Sequence, residues 1–160
     1  MMMVNYYSGD PKRIQHFVKV HSFAKLIAEL EKVSPEILLT VETAALVHDI
    51  GIKIAENQYR TSTDKLQEQL GPPEAEKMLN ALNFNQSLIE RICYLVGHHH
   101  TYDTIDELDY QILIEADFLV NIYEGQLDSK TIHQLNKNIF KTKSGKILLE
   151  DMFKTYLDTI

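Results

Sequence analysis

Cysteine is almost missing from this chain: Cys93 stands alone, so there is neither a disulfide framework nor a paired-cysteine zinc motif. An unpaired thiol suits a reducing compartment, and Cys93, inside the apolar run 88–96, is expected to pack in the core. Long apolar stretches are missing too. None approaches the ~18–20 residues that a membrane-spanning helix needs, and Met1–Tyr6 shows no basic segment leading into a sustained apolar one, as a signal peptide would. A cytoplasmic protein without membrane contact is the expectation. Cations are scarce as well, 16 Lys and Arg against 23 Asp and Glu for a net charge of −7. That balance argues against a nucleic-acid polymer as partner, because such affinity comes mostly from Lys and Arg neutralising phosphates. Small phosphorylated ligands stay open, since a bound metal reverses the local sign. No internal repeat, low-complexity tract or alternating strand pattern occurs.

What is present is helix after helix. With 160 residues, 44% of them hydrophobic, the chain suits one domain spanning 1–160. Asp10-Pro11 reads as an N-cap with proline at the first helical position, and Ser34-Pro35 repeats the signal. From Asp10, Ile14, Phe17, Val18, His21, Ala24, Leu26, Ile27, Ala28 and Leu30 recur at helical spacing. The second helix carries Ile37 to His48 and is expected to stop near Gly51. Residues 56–71 are polar and predict a loop with a short helix. Gly71-Pro72-Pro73 then predicts a chain break that opens the next helix. Asn85 predicts a cap for a helix reaching about Val96, residues 98–107 a polar connection, and a further helix ends at Gly125. The tail, 129–160, predicts one or two more helices divided near Thr142–Gly145. The fold expected is an all-α single-domain bundle with a motif-bearing core over about 12–125.

His48 and Asp49 close the apolar run Ala44-Ala45-Leu46-Val47. Two adjacent metal-binding side chains at the end of a greasy helix are costly to bury unless something binds them, and a divalent metal is the simplest candidate. Matching groups recur at His16, His98-His99-His100 and Asp117. Adjacent helical positions differ by about 100°, but at a helix end both side chains can converge on an ion held between helices. Each group has a plainer reading when taken singly. His16 suits a hydrogen-bonded core histidine, Asp117 a turn cap or a partner for Arg13, and the three histidines the carbonyls of a helix end.

These motifs, in this order, resemble the HD-domain superfamily of metal-dependent phosphohydrolases. The first is His16-Phe-Val-Lys-Val20 leading to Ala24 and Ile27-Ala28, the second Ala44-Ala45-Leu46-Val47-His48-Asp49-Ile50-Gly51, the last Glu115-Ala116-Asp117-Phe118-Leu119-Val120. The resemblance implies a core of about five helices, one divalent ion (Mn, Fe, Ni, Co, Zn or Mg) on His16, His48, Asp49 and Asp117, and hydrolysis of a phosphate ester or anhydride. It also implies that Asp49 orients the attacking water. His99 first, then His98, is expected as proton donor or phosphate binder, with His100 the remaining choice.

Two departures stand out. Many relatives have Lys after the motif glycine; here Ile52 occupies that place and Lys53 follows, a less well directed phosphate binder. Two-metal relatives carry another histidine shortly before a later glycine, whereas 65–71 has none, so a second ion would need Glu68 as an oxygen ligand. Arg13, one turn before His16, is expected to grip phosphate and Asn121 to reach the substrate, while Tyr102 and Asp103 in the connecting loop are open to contact with a sugar or base. His21 and His133 are expected to be structural.

The leading functional expectation is therefore a phosphohydrolase of a small phosphorylated compound such as a nucleotide. A non-catalytic metal- and ligand-binding regulatory module is the alternative, and two-iron oxidation a remoter one. The protein is expected to be a monomer, or a homodimer seamed by the apolar helix around Ile147, Leu149 and Phe153.

Overall fold

A computed structural model describes residues 1–157. Ten helical segments follow one another: α1 (Met2–Tyr6), α2 (Pro11–Leu30), α3 (Pro35–Val47), α4 (Gly51–Tyr59), α5 (Asp64–Ala81), α6 (Gln86–Val96), α7 (Leu108–Gly125), α8 (Ser129–Asn138), α9 (Lys143–Met152) and α10 (Lys154–Leu157). No strand occurs among the described residues, so the protein is all-α. No described helix is long and apolar enough to cross a membrane.

The starts are written locally. Side-chain oxygens of Asp10, Ser34, Thr63, Asn85, Asp128 and Thr142 accept the backbone N–H three residues on, each satisfying a donor that the first turn leaves open. Each such cap is worth about 1 kcal/mol. Burial then sorts the helices. α7 lies at the centre, with Tyr110, Ile112, Leu113, Ala116 and Leu119 fully buried. α2 packs against α3 and α7, and α3 also meets α6. The face of α2 that carries Val20, Ala24 and Ile27 is buried, whereas Val18, Leu26 and Leu30 are exposed, so the apolar stripe is narrower than periodicity predicts.

Several expected boundaries move. α3 ends at Val47, four residues before the expected glycine, and Gly51 instead opens α4. A Cβ at Gly51 would lie 2.7 Å from the Gln67 carbonyl oxygen and 3.0 Å from Cα of Gly71. Glycine here lets the backbones of α4 and α5 touch. That contact, with the Thr63 cap and the buried face Gln67, Gly71, Ala75, Met78 and Leu79, carries α5 straight through Pro72 and Pro73. The predicted break is therefore absent. Residues 56–71, expected to form a loop with a short helix, belong to α4 and α5 apart from 60–63. The tail divides at Thr142 as expected, and Leu149 and Phe153 pack on the core; residues 158–160 lie outside the described residues. Cys93 is half-buried, its thiol donating to the Pro72 carbonyl at 3.5 Å.

Candidate metal centre

His48 sits at the C-cap of α3, where Nδ1 donates to the Ala45 carbonyl at 2.9 Å. A carbonyl only accepts, so the hydrogen is on Nδ1 and the Nε2 lone pair points into the interior. His99 repeats the device after α6, with Nδ1 donating to the Val96 carbonyl at 2.8 Å. His16, on the buried face of α2, has Nδ1 2.9 Å from Oε2 of Glu124, which fixes its ring in the same sense. The Nε2 atoms of His16 and His48 then face each other at 3.4 Å.

Two carboxylates complete the cluster. Oδ1 of Asp117 lies 3.2 Å from His16 Nε2 and 3.5 Å from His48 Nε2. Oδ2 of Asp49 lies 3.5 Å from each of the same nitrogens, and its Oδ1 lies 3.4 Å from His99 Nε2. His16, His48 and Asp49 thus bring ligand atoms within 4.8 Å of one another, and Asp117 from α7 closes on both imidazoles.

The electrostatics favour positive charge there. Burial opposes the imidazolium form of His48, but the Asp49 and Asp117 carboxylates outweigh it and raise its pKa to about 9. The same competition raises His16, through Asp117 and Asp49. In return, despite burial, the facing imidazoles hold both carboxyls below the ordinary range. Protons on two imidazoles, or a cation on their lone pairs, satisfy this arrangement equally. The donor set fits a cation. Asp117 Oδ1 is buried without a hydrogen bond, as is His99 Nε2, and buried polar atoms are rarely left so. Two imidazoles and two carboxylates suit first-row divalent ions, with Mg2+ also open to the carboxylates.

A family model described as HD domain matches residues 13–139. The chain belongs to the HD-domain family. Comparison with curated proteins and with solved structures gives no match. HD domains bind divalent metals and most are metal-dependent hydrolases, with which this His/Asp cluster is compatible.

The other candidate residues of this HD domain fall into two groups. His99 adjoins the centre, but His98 does not: its ring stacks on Tyr94 at 4.3 Å and Nδ1 bonds the Tyr94 carbonyl at 2.7 Å. Lys53 is engaged elsewhere, its ammonium donating to the Tyr6 carbonyl and lying 4.9 Å from the Tyr6 ring centroid. The one-residue shift from the family position turns it off the cleft, and Ile52 lines the cleft in its place. Arg13 does line it, gripped by Asp10 and Glu56 at 2.6 Å each. Asn121 also lines it, and its amide donates to Oδ2 of Asp117 at 2.9 Å. Glu68 caps the turn after α6, its Oε1 accepting from His100 N–H and the Thr101 hydroxyl, both at 3.0 Å. Tyr102 packs against Phe118 with ring centroids 5.2 Å apart, and Asp103 is exposed. His21 pairs with Glu42, and His133 reaches the Leu157 carbonyl.

Four supporting residues were not foreseen from the sequence. Glu124 stands seven residues after Asp117, two turns along the same helix face, a spacing that contained the signal. Tyr7 donates to the Asp49 carbonyl at 2.8 Å and Tyr6 to that of Ile50 at 3.3 Å, bracing the α3–α4 turn from α1. Gln67, buried in α5, touches His100. The cleft above the centre encloses about 310 Å³. A larger cavity of about 520 Å³, between the end of α7 and the C-terminal helices, has no imidazole in its lining.

Proposed function

We propose that this chain is a metal-dependent phosphohydrolase cleaving a phosphate ester or anhydride of a small phosphorylated compound such as a nucleotide. The convergence of His16, His48, Asp49 and Asp117 beside an open cleft carries this reading. A divalent ion bound there supplies Lewis-acid polarisation of a phosphoryl oxygen and a water of lowered pKa.

The chain's own residues supply the rest. Asp49 turns one oxygen to the centre and the other to His99, so it both binds and orients the attacking water. His99, buried and held by the Val96 carbonyl through Nδ1, presents its Nε2 lone pair to take a proton from the attacking water and hand it on to the leaving oxygen. Asn121 keeps the Asp117 carboxylate in its ligating rotamer. Arg13 stands at the rim and exchanges Asp10 or Glu56 for a phosphoryl oxygen, a trade among charge-assisted hydrogen bonds of similar strength.

A regulatory module that binds metal and ligand without turnover is the second reading. It draws on the engagement of Lys53 by Tyr6 and of Arg13 by two carboxylates, which leaves few unengaged cations in the cleft. Phosphate release from a panel of phosphomonoesters and nucleotides, with Mn2+, Co2+, Ni2+, Fe2+, Zn2+ and Mg2+ in turn, separates the two. The hydrolase reading expects turnover that falls on the order of 10²–10³-fold in Asp49→Asn. Ligand binding with no turnover on any substrate replaces it with the regulatory one.

A further inference from the structure

Beside the four-residue centre lies a second group, Asp49, His99 and His100, whose ligand atoms all fall within 4.8 Å of one another. A carboxylate shared between two such groups outlines a second cation position. The hydrogen bonds around His100 count against it. Gln67 is nearly buried, and its side-chain Nε2 donates to the Ser62 carbonyl at 2.9 Å, a bond that only the amide NH2 end can make. Its Oε1 is therefore the end that faces His100 Nε2, at 3.3 Å, and it accepts the hydrogen there. The other ring nitrogen, Nδ1, lies 3.5 Å from the Tyr102 hydroxyl and accepts from it. Tyr102, His100, Gln67 and Ser62 form one run in which every hydrogen points the same way. Both nitrogens of His100 are used, and no lone pair of that ring remains for a cation.

Charge counts the same way. The first centre sets two carboxylates against one ion, but the second position has only Asp49, already shared. The nearest other acids do not help. Glu68 has Oε1 committed to His100 N–H and the Thr101 hydroxyl, and the Asp64 side chain is 75% exposed, 3.9 Å from His100. A neutral amide at Gln67 cannot offset the repulsion between two divalent ions sharing one carboxylate.

We propose that Gln67 closes the second cation position, by holding His100 in hydrogen-bonded form and by withholding negative charge, so that the centre takes one ion. This rests on the reading of His16, His48, Asp49 and Asp117 as metal ligands. Metal content and spin state test it without any activity assay. The full chain, loaded with Mn2+ alone and freed of excess by gel filtration, is expected to carry one ion. His100→Ala is expected to leave that ratio at one. Gln67→Glu, which is isosteric and adds a carboxylate oxygen, is expected to raise it to two and to give the electron paramagnetic resonance signal of a coupled pair. Two ions in the unaltered protein, falling to one in His100→Ala, overturn the proposal, as does loss of the single ion in His100→Ala. A folded Gln67→Glu that still carries one ion also overturns it; should that variant fail to fold, judged by circular dichroism, Gln67→Asp is read in its place. Absence of any bound Mn2+ in the unaltered protein overturns instead the four-residue centre on which the proposal rests.

Discussion

Glu124 Oε2 lies 2.9 Å from Nδ1 of His16, and the other oxygen of the same carboxylate lies 2.6 Å from the ammonium of Lys19. The pair fixes the tautomer and rotation of the His16 ring, so that Nε2 rather than Nδ1 faces Asp117 and His48. Glu124→Gln keeps the shape but lets the amide present a donor where an acceptor is needed. We expect metal affinity to weaken by about 10–100-fold, the usual cost of losing such a partner, as read by competition with a chelating dye. Unchanged affinity means that packing alone orients the ring.

Metal removal is expected to lower thermal stability. An ion bound only by the folded state at 100 times its dissociation constant adds about 2.7 kcal/mol. For a domain of this size that corresponds to roughly 5–10 °C in Tm. Differential scanning fluorimetry with and without chelator measures it, and Asp117→Asn is expected to abolish the difference.

Arg13 and Lys53 are expected to separate kinetically. Under the hydrolase reading Arg13→Ala raises KM on the order of tenfold, since it removes a phosphate contact at the rim, while Lys53→Met changes neither KM nor kcat beyond about twofold. Steady-state kinetics on one good substrate decides, and the reverse pattern means that Lys53 leaves Tyr6 when substrate binds.

Gly145→Ala is expected to destabilise the protein by about 2–4 kcal/mol in urea unfolding. An added Cβ would stand 1.9 Å from Oε2 of Glu115, inside a cluster where that carboxylate accepts from the backbone of Lys141 and Thr142, the Thr142 hydroxyl and the Gln111 amide. Gly125→Ala, with its nearest neighbour at 3.4 Å, serves as control and is expected to be neutral or stabilising by up to about 1 kcal/mol.

Much of this was legible in the residues because it is locally coded. Asp10-Pro11 and Ser34-Pro35 start helices through side-chain oxygens within three positions, so no distant information is needed. His16 and Asp117 share stripes with buried apolar residues, which places them inward before any partner is known. Choosing among His98, His99 and His100 was harder. Consecutive residues at a helix end fan out by about 100°, and only the position of Tyr94 shows that His98 turns away. Pro72-Pro73 misled for a similar reason. Proline removes donors from the first turns of a helix or from its middle, and only the Gly51–Gly71 contact, between residues 20 positions apart, reveals which applies. Glu124, Tyr7 and Gln67 act across 40 to 110 positions or on groups that are themselves ambiguous, beyond the reach of periodicity.

The fully buried carboxylate of Glu115 sits two residues before Asp117 on the same helix; the Gln111 amide is one of its donors, and the other three come from Lys141 and Thr142, beyond position 139, where the family match ends. A recombinant fragment trimmed to that boundary would strip three of those donors from a fully buried carboxylate, next to the very turn that presents Asp117. The smallest stable unit is therefore expected to extend past Gly145, with the C-terminal helices contributing to the domain rather than hanging from it.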